Sequence, residues 1–321
     1  MRSSAPFTAL LLAALCGAAL AQGTAYVSSE KDNALTMIDT TTLAVKGTLT
    51  TCKRARHVQL TPERKLLVAC TDSNVADLID PANGKSLRRI PMGQEPEAFD
   101  LSPDGKTLYV SNEDEGALSF IDVASGKQRQ LVKVGKEPEG VKASADGKFV
   151  YVTSEVAGMV HVIDTATAKV VKNILVGKRP RRIALTPDGK ELWVTNELDA
   201  SVSIVTIADH SVVATLKFEL KGARASEITP VGIQMTRDGK RAFVALGAAN
   251  HVAFVDVPGR KVTNLVLVGK RAWNVALDKA EARLWVVNGL SDDVTVVDVA
   301  LAKAIKSIAV GRVPYGLVIV E

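Results

Sequence analysis

The chain is short of aromatic residues, cysteine and histidine. Phe, Trp and Tyr make up 4% of 321 residues, with three cysteines and four histidines. So few aromatics leave few platforms on which bases could stack. Lys and Arg alternate with Asp and Glu, and the formal net charge is only +5. Both features argue against nucleic acid as a partner. There is no C-x-x-C-H for covalent haem and no C-x-x-C pair for zinc or thioredoxin chemistry. No Ser-His-Asp spacing and no Gly-rich phosphate loop leading into a helix is present. Sustained 3.6-residue periodicity is also missing. Beyond the N-terminus no apolar run approaches the ~20 residues of a membrane span.

The exception is the N-terminus itself, "MRSSAPFTALLLAALCGAALAQG". Arg2 supplies a positive start, residues 7–20 are almost wholly apolar, and Ala19-Leu20-Ala21 forms a small-residue cleavage site. This reads as a secretory signal peptide over 1–21, which predicts a periplasmic or secreted protein occupying 22–321. Cys16 offers a lipoprotein reading, but Leu15 stands where such sites carry a small residue. Two cysteines remain, Cys52 and Cys70. An oxidising compartment permits a disulfide between them, and two separate thiols are the alternative.

What is abundant is repetition. Boxes of one type recur at Tyr26, Leu67, Tyr109, Tyr151, Trp193, Phe243 and Trp285, in steps of 41, 42, 42, 42, 50 and 42 residues. A second mark keeps the same steps: Asp39, Asp80, Asp122, Asp164, Thr206, Asp256 and Asp298. Each copy holds four β-rich runs, the first two joined by turns such as "TPDGK", a strong hairpin signal. Four short strands in about 42 residues make one propeller blade. The fold class is therefore all-β, a single seven-bladed propeller of four-stranded blades. The chain starts on a second strand ("AYVSS") and finishes on a first ("VPYGLVIV"). Pairing of N- and C-terminal strands is predicted to close the ring.

The boxes "YVSN", "YVTS" and "WVTN" resemble those of the YVTN-repeat β-propeller family. The phrases "GKEPEGV", "FVALGAANHVAFVDV" and "NGLSDDVTVVDV" resemble one branch of it, the PQQ-dependent catabolism-associated β-propeller proteins. The resemblance covers nearly the whole chain after residue 22. It implies an exported protein that accompanies periplasmic quinoprotein alcohol oxidation, and it supplies no molecular activity. The main functional expectation is a non-catalytic binding or scaffold module accessory to that pathway. Its partner would be a PQQ-dependent dehydrogenase or its cytochrome c. The resemblance supplies no catalytic residues.

In such a ring the loop leading into each first strand and the loop joining second to third strands share one face, the top. The lead-in pairs are Arg56-His57, Glu97-Ala98, Glu139-Gly140, Arg181-Arg182, Val231-Gly232, Trp273-Asn274 and Tyr315-Gly316. Seven equivalent positions with seven chemistries break the ring's symmetry. They predict a ligand or partner site of Arg56, His57, Glu97, Glu139, Arg181, Arg182, Trp273 and Tyr315 on an exposed rim. Glu30, Glu113, Glu155 and Glu197 share a slot in the neighbouring loops. No metal and no cofactor are expected. PQQ or haem in the channel is the minor alternative, with His57 the candidate haem ligand. A monomer is expected. The competing functional reading is an enzyme working at the channel mouth, either a lactonase-like hydrolase or a cofactor-bearing oxidoreductase.

Overall fold

A computed structural model describes residues 23–321. The expected signal peptide, residues 1–21, and with it Cys16, lies outside the described residues. Seven antiparallel four-stranded sheets stand around a central channel. The second blade is typical: Ala55–Leu60 lines the channel, followed outward by Leu66–Cys70, Val75–Asp80 and Lys85–Pro91. Second strands such as Glu191–Asn196 are buried on both faces, whereas fourth strands such as Lys169–Leu175 are mostly exposed. That gradient explains why the second-strand boxes are continuously apolar and the outer strands carry the lysines.

The ring closes within one blade. Thr24–Ser29 lies between Ala34–Asp39 and Pro314–Val320, with Tyr26 opposite Val318. Trp193, Trp285 and Tyr151 are fully buried between blades, so they are packing residues, as their place in the repeat indicates. The 50-residue step is an insertion in the fifth repeat that holds a single 3-10 turn, Ala225–Glu227. Among the described residues no helix is long and apolar enough to cross a membrane.

The repeated Asp residues make turns. Asp39, Asp122, Asp164 and Asp298 each accept backbone N–H groups two or three residues on. In the fifth blade, where Thr206 replaces the Asp, Asp209 accepts the Ser211 N–H instead. The bottom "PDGK" hairpins place Gly105 and Gly189 at φ 69° and 68°, where a side chain is disfavoured. Cys52 and Cys70 form a disulfide across the top of the second blade.

One device positions the channel residues. The Ser or Thr two residues after the box's opening residue bonds to the next blade. Ser28 Oγ donates to the Arg56 carbonyl, Ser111 to that of Glu139, Thr153 to that of Arg181 and Thr195 to that of Val231. The same hydroxyls accept the N–H of Gly316, Ala98, Gly140 and Arg182 in their own blades. Each hydroxyl thus ties one first strand to the next at the level of the lead-in pair.

Candidate functional site

Six of the seven first strands begin with an irregularity, Pro314–Val320 among them, and only Ile233–Met235 pairs without one. Register slips between Ala55 and Val58, Pro96 and Phe99, Pro138 and Val141, Pro180 and Ile183, and Ala272 and Asn274. A bulge re-aims side chains, and here two consecutive residues turn toward the channel. Two positions before the first of them, the backbone is left-handed at Arg54, Glu95, Glu137, Arg179, Arg271 and Val313, none of them glycine. An unfavourable conformation repeated in six blades marks a place where the fold holds the chain against its preference.

The result is a tiered mouth. The left-handed residues form the rim. Below them Arg56, Glu97, Glu139, Arg181, Val231, Trp273 and Tyr315 converge on the channel axis, none more than 7% exposed. These residues therefore do not sit on an exposed rim. At the axis seven side chains meet one another and exclude water, so the solvated rim lies one tier above. His57 and Arg182 fall one step lower still. His57 lines a chamber of about 620 Å³ with Gln59, Asp100, Lys142, Gln234 and Asn274.

The buried tier is split by chemistry. Val231, Trp273 and Tyr315 form an apolar cluster on one side. On the other, Arg56 pairs with Glu97, and Arg181 reaches Glu155 and, at 2.7 Å, Glu139. Arg182 spans the two sides: Nη1 donates to Glu139 at 2.9 Å, and Nη2 to the Tyr315 hydroxyl. Guanidinium groups also lie over the rings, Arg56 on Tyr315 at 4.3 Å and Arg181 on Trp273 at 5.1 Å.

Shared burial drives the carboxyl groups apart. Desolvation alone would raise Glu139, but Arg181, Arg182 and Arg56 outweigh it and hold the carboxylate at about 2. Glu97 is ion-paired to Arg56 alone, with Arg182 acting from farther off and Glu139 and Glu113 as acidic neighbours. Burial and Glu139 push it up to about 9, against the pull of Arg56. Burial also pushes Glu155 up to about 7, with Arg181 opposing and Glu139 reinforcing. His57 is held down to about 3 by burial and by Arg182, and its ring packs edge-on against Phe99 at 4.7 Å.

Above the buried tier lies a cleft of about 320 Å³, bounded by Arg54, Glu113, Arg179, Arg271, Trp273 and Tyr315. Arg271 is exposed and stacks on Trp273 at 4.3 Å. The walls hold buried polar atoms that make no hydrogen bond to the protein: Trp273 Nε1, Glu97 Oε2, and Arg56 Nε and Arg181 Nε, which lie in looser ion pairs 3.9 Å from Glu30 and 3.6 Å from Glu197. The rim residues Arg54, Arg179 and Arg271 were not anticipated from sequence, although each stands two residues before a lead-in pair. The other histidines do not gather: His161 is bound to Asn173, and His210 packs on Phe149.

The cytochrome D1 heme domain family matches residues 65–184, and the family of lactonases with a 7-bladed beta-propeller matches residues 166–311. Among curated proteins none matches. Several solved structures share the fold. The Pseudomonas aeruginosa periplasmic gluconolactonase PpgL has a TM-score of 0.79 at 18% identity, over 94% of this chain and 99% of that one. Kuenenia stuttgartiensis hydrazine synthase has 0.77 at 21%, over 91% and 99%. The dihydro-heme d1 dehydrogenase NirN has 0.69 at 14%, over 92% and 74%.

Proposed function

We propose that the chain is an exported, lactonase-like hydrolase that opens a small polar lactone in the channel-mouth cleft. The observation that carries this is the cleft itself. It is a small hollow whose walls keep several buried polar atoms without hydrogen bonds from the protein, beside an aromatic wall and an arginine stacked on it. Leaving one such atom unsatisfied costs about 1–3 kcal/mol, and a ligand rich in oxygen atoms would recover that cost. The likeness to the lactonase family over the second half of the chain, and to a periplasmic gluconolactonase in fold, supports the same reading.

Glu155 is the base. Its shift to about 7 leaves it substantially ionised, yet still able to take a proton, near neutral pH. Arg179 Nε lies 2.6 Å from Glu155 and 3.3 Å from Glu197. Glu197 can therefore hold Arg179 when Glu155 turns to a water molecule. That water adds to the lactone carbonyl carbon as its proton passes to Glu155. Negative charge develops on the carbonyl oxygen, where a guanidinium such as that of Arg271 stabilises it. The ring C–O bond then breaks, and the alkoxide recovers the proton, giving a hydroxy acid. Trp273 and Tyr315 offer the substrate an apolar face.

A panel of aldonic and other small lactones, followed by acid release at constant pH, tests this. Wild type is expected to open at least one, and Glu155→Gln to lower its kcat by about 100-fold or more. No hydrolysis of any lactone, or hydrolysis indifferent to both Glu155→Gln and Arg271→Ala, overturns the reading. The phrases shared with PQQ-associated propellers favour a second reading, an accessory module of quinoprotein oxidation. It predicts instead retention of a PQQ-dependent dehydrogenase or its cytochrome c by the tagged protein.

A further inference from the structure

The top of the third blade carries a second feature, which shares Glu97 and Glu113 with the cleft wall but does not rest on the lactone reading. Glu95 is a left-handed rim residue, Glu97 belongs to the buried tier, and Glu113 stands in the loop after the adjacent strand Thr107–Asn112. The Glu113 N–H donates to the Glu95 carbonyl at 3.1 Å, which fixes the two loops to each other. One carboxylate oxygen from each of Glu95, Glu97 and Glu113 lies within 4.8 Å of the others.

Crowded acids alone prove nothing, because exposed ones repel into water. Glu97 cannot do that. It is 1% exposed. Its Oε1 is taken by Arg56, while its Oε2 is buried and accepts no hydrogen bond. An unpartnered carboxyl oxygen in the interior is costly unless something else holds it, and a cation there would take the place of the proton that burial favours. The cations nearby do not balance the group. Arg56 faces Glu97 from one side only. Arg54 is divided between Glu30 at 3.2 Å, Asp72 at 3.5 Å and Glu95 at 3.6 Å.

We propose that Glu95, Glu97 and Glu113 form a Ca²⁺ site on the top face of the third blade. Three hard oxygen donors and no nitrogen or sulfur among them select a hard cation. Ca²⁺–O bonds of about 2.3–2.6 Å allow ligand oxygens up to about 5 Å apart around one ion, so the observed spacing is accepted as it stands. Mg²⁺, at about 2.0–2.1 Å and with strict octahedral demands, requires the carboxylates to draw together. Solvent on the cleft side supplies the remaining ligands as water. The bound ion would satisfy Glu97 Oε2 and tie the Glu95 and Glu113 loops together.

Calorimetric titration of chelator-treated full-length protein with CaCl₂, in the absence of any lactone, tests the site. One Ca²⁺ should bind with an affinity in the range of extracellular modules, about 10⁻⁴–10⁻³ M or tighter, and should raise the melting temperature. Glu113 is only half-buried, so Glu113→Gln is expected to fold, and it should weaken binding by about tenfold or more. Glu155→Gln removes a carboxylate from the same mouth but outside the group, and should leave the affinity unchanged. Three outcomes overturn the proposal: no Ca²⁺ heat and no thermal shift up to about 10⁻² M, an affinity unaltered by Glu113→Gln, or an equal loss in Glu155→Gln. The last would mean that general rim charge attracts the ion. Because no substrate is present, failure of this experiment leaves the hydrolase reading standing, and failure of lactone opening leaves the Ca²⁺ site standing.

Discussion

At the scale of single residues, Glu139 governs the mouth. It is buried and ion-paired to Arg181 and Arg182. Removing one partner of a buried pair leaves uncompensated charge behind, at a cost of about 3–5 kcal/mol. Glu139→Gln is expected to lower stability by roughly that amount in denaturant titration at neutral pH. The dependence on pH has a definite sign. The folded-state value of about 2 lies below the ordinary 4.5, so the Glu139 contribution is complete above about 4.5 and is lost as pH falls toward 2. The stability gap between wild type and Glu139→Gln should therefore narrow over that window. A gap that stays constant would refute the assignment. The proposed hydrolase would follow Glu155 instead: lactone opening should rise with pH through about 7 as that carboxyl loses its proton. This scale also shows what the sequence did not disclose. The lead-in pairs are visible as unequal residues in equal slots, but their burial is not. Charged residues in loops are ordinarily solvated, and only the convergence of seven strands on one axis removes the water from Arg56, Glu97, Glu139 and Arg181. Arg54, Arg179 and Arg271 were missed because nothing in their identity signals a left-handed backbone.

At the scale of elements, the second blade carries a covalent tie that the other blades lack. Its box reads "LVAC", so Ala69 stands where Ser28, Ser111, Thr153 and Thr195 bridge to the next blade. The disulfide joins Cys52 to Cys70 in this blade, closing a loop of 18 residues. On a chain-entropy estimate it contributes roughly 3 kcal/mol. The reduced protein, or Cys52→Ser with Cys70→Ser, should lose about that much stability, read as a lowered midpoint in urea. An unchanged midpoint would show that the denatured chain is not constrained by this loop. Strand content was legible because each strand is short, β-branched and bounded by an Asp or Gly turn, a local signal. The bulges were not, because a bulge is a mismatch between two strands and neither strand records it alone.

At the scale of the whole molecule, the fold was legible because one sentence is written seven times and broken at its ends. Register marks at Tyr26 and Trp285, with a half-repeat on either side, already imply a shared blade. The pairing of Thr24–Ser29 with Pro314–Val320 supplies its hydrogen bonds. Deleting residues 314–321 leaves Tyr26, Ala25 and Val27 without their inner neighbours and opens the ring. Cooperative melting of the entire propeller is expected to weaken, not merely that of one blade. A truncated protein melting at the wild-type temperature would contradict this.

The shared blade also orders events in time. Residues near the first described strand are synthesised first, yet their inner partner is almost the last segment to be made, nearly 290 positions later. Until then the strand around Tyr26 presents one open edge, and blade closure waits on a very long-range contact, the kind that forms slowly. The six blades encoded between these two strands are each complete in themselves, so this blade alone has to wait for a distant part of the chain. The closure that fixes the ring's geometry thus also makes the earliest strand the last to gain its neighbour.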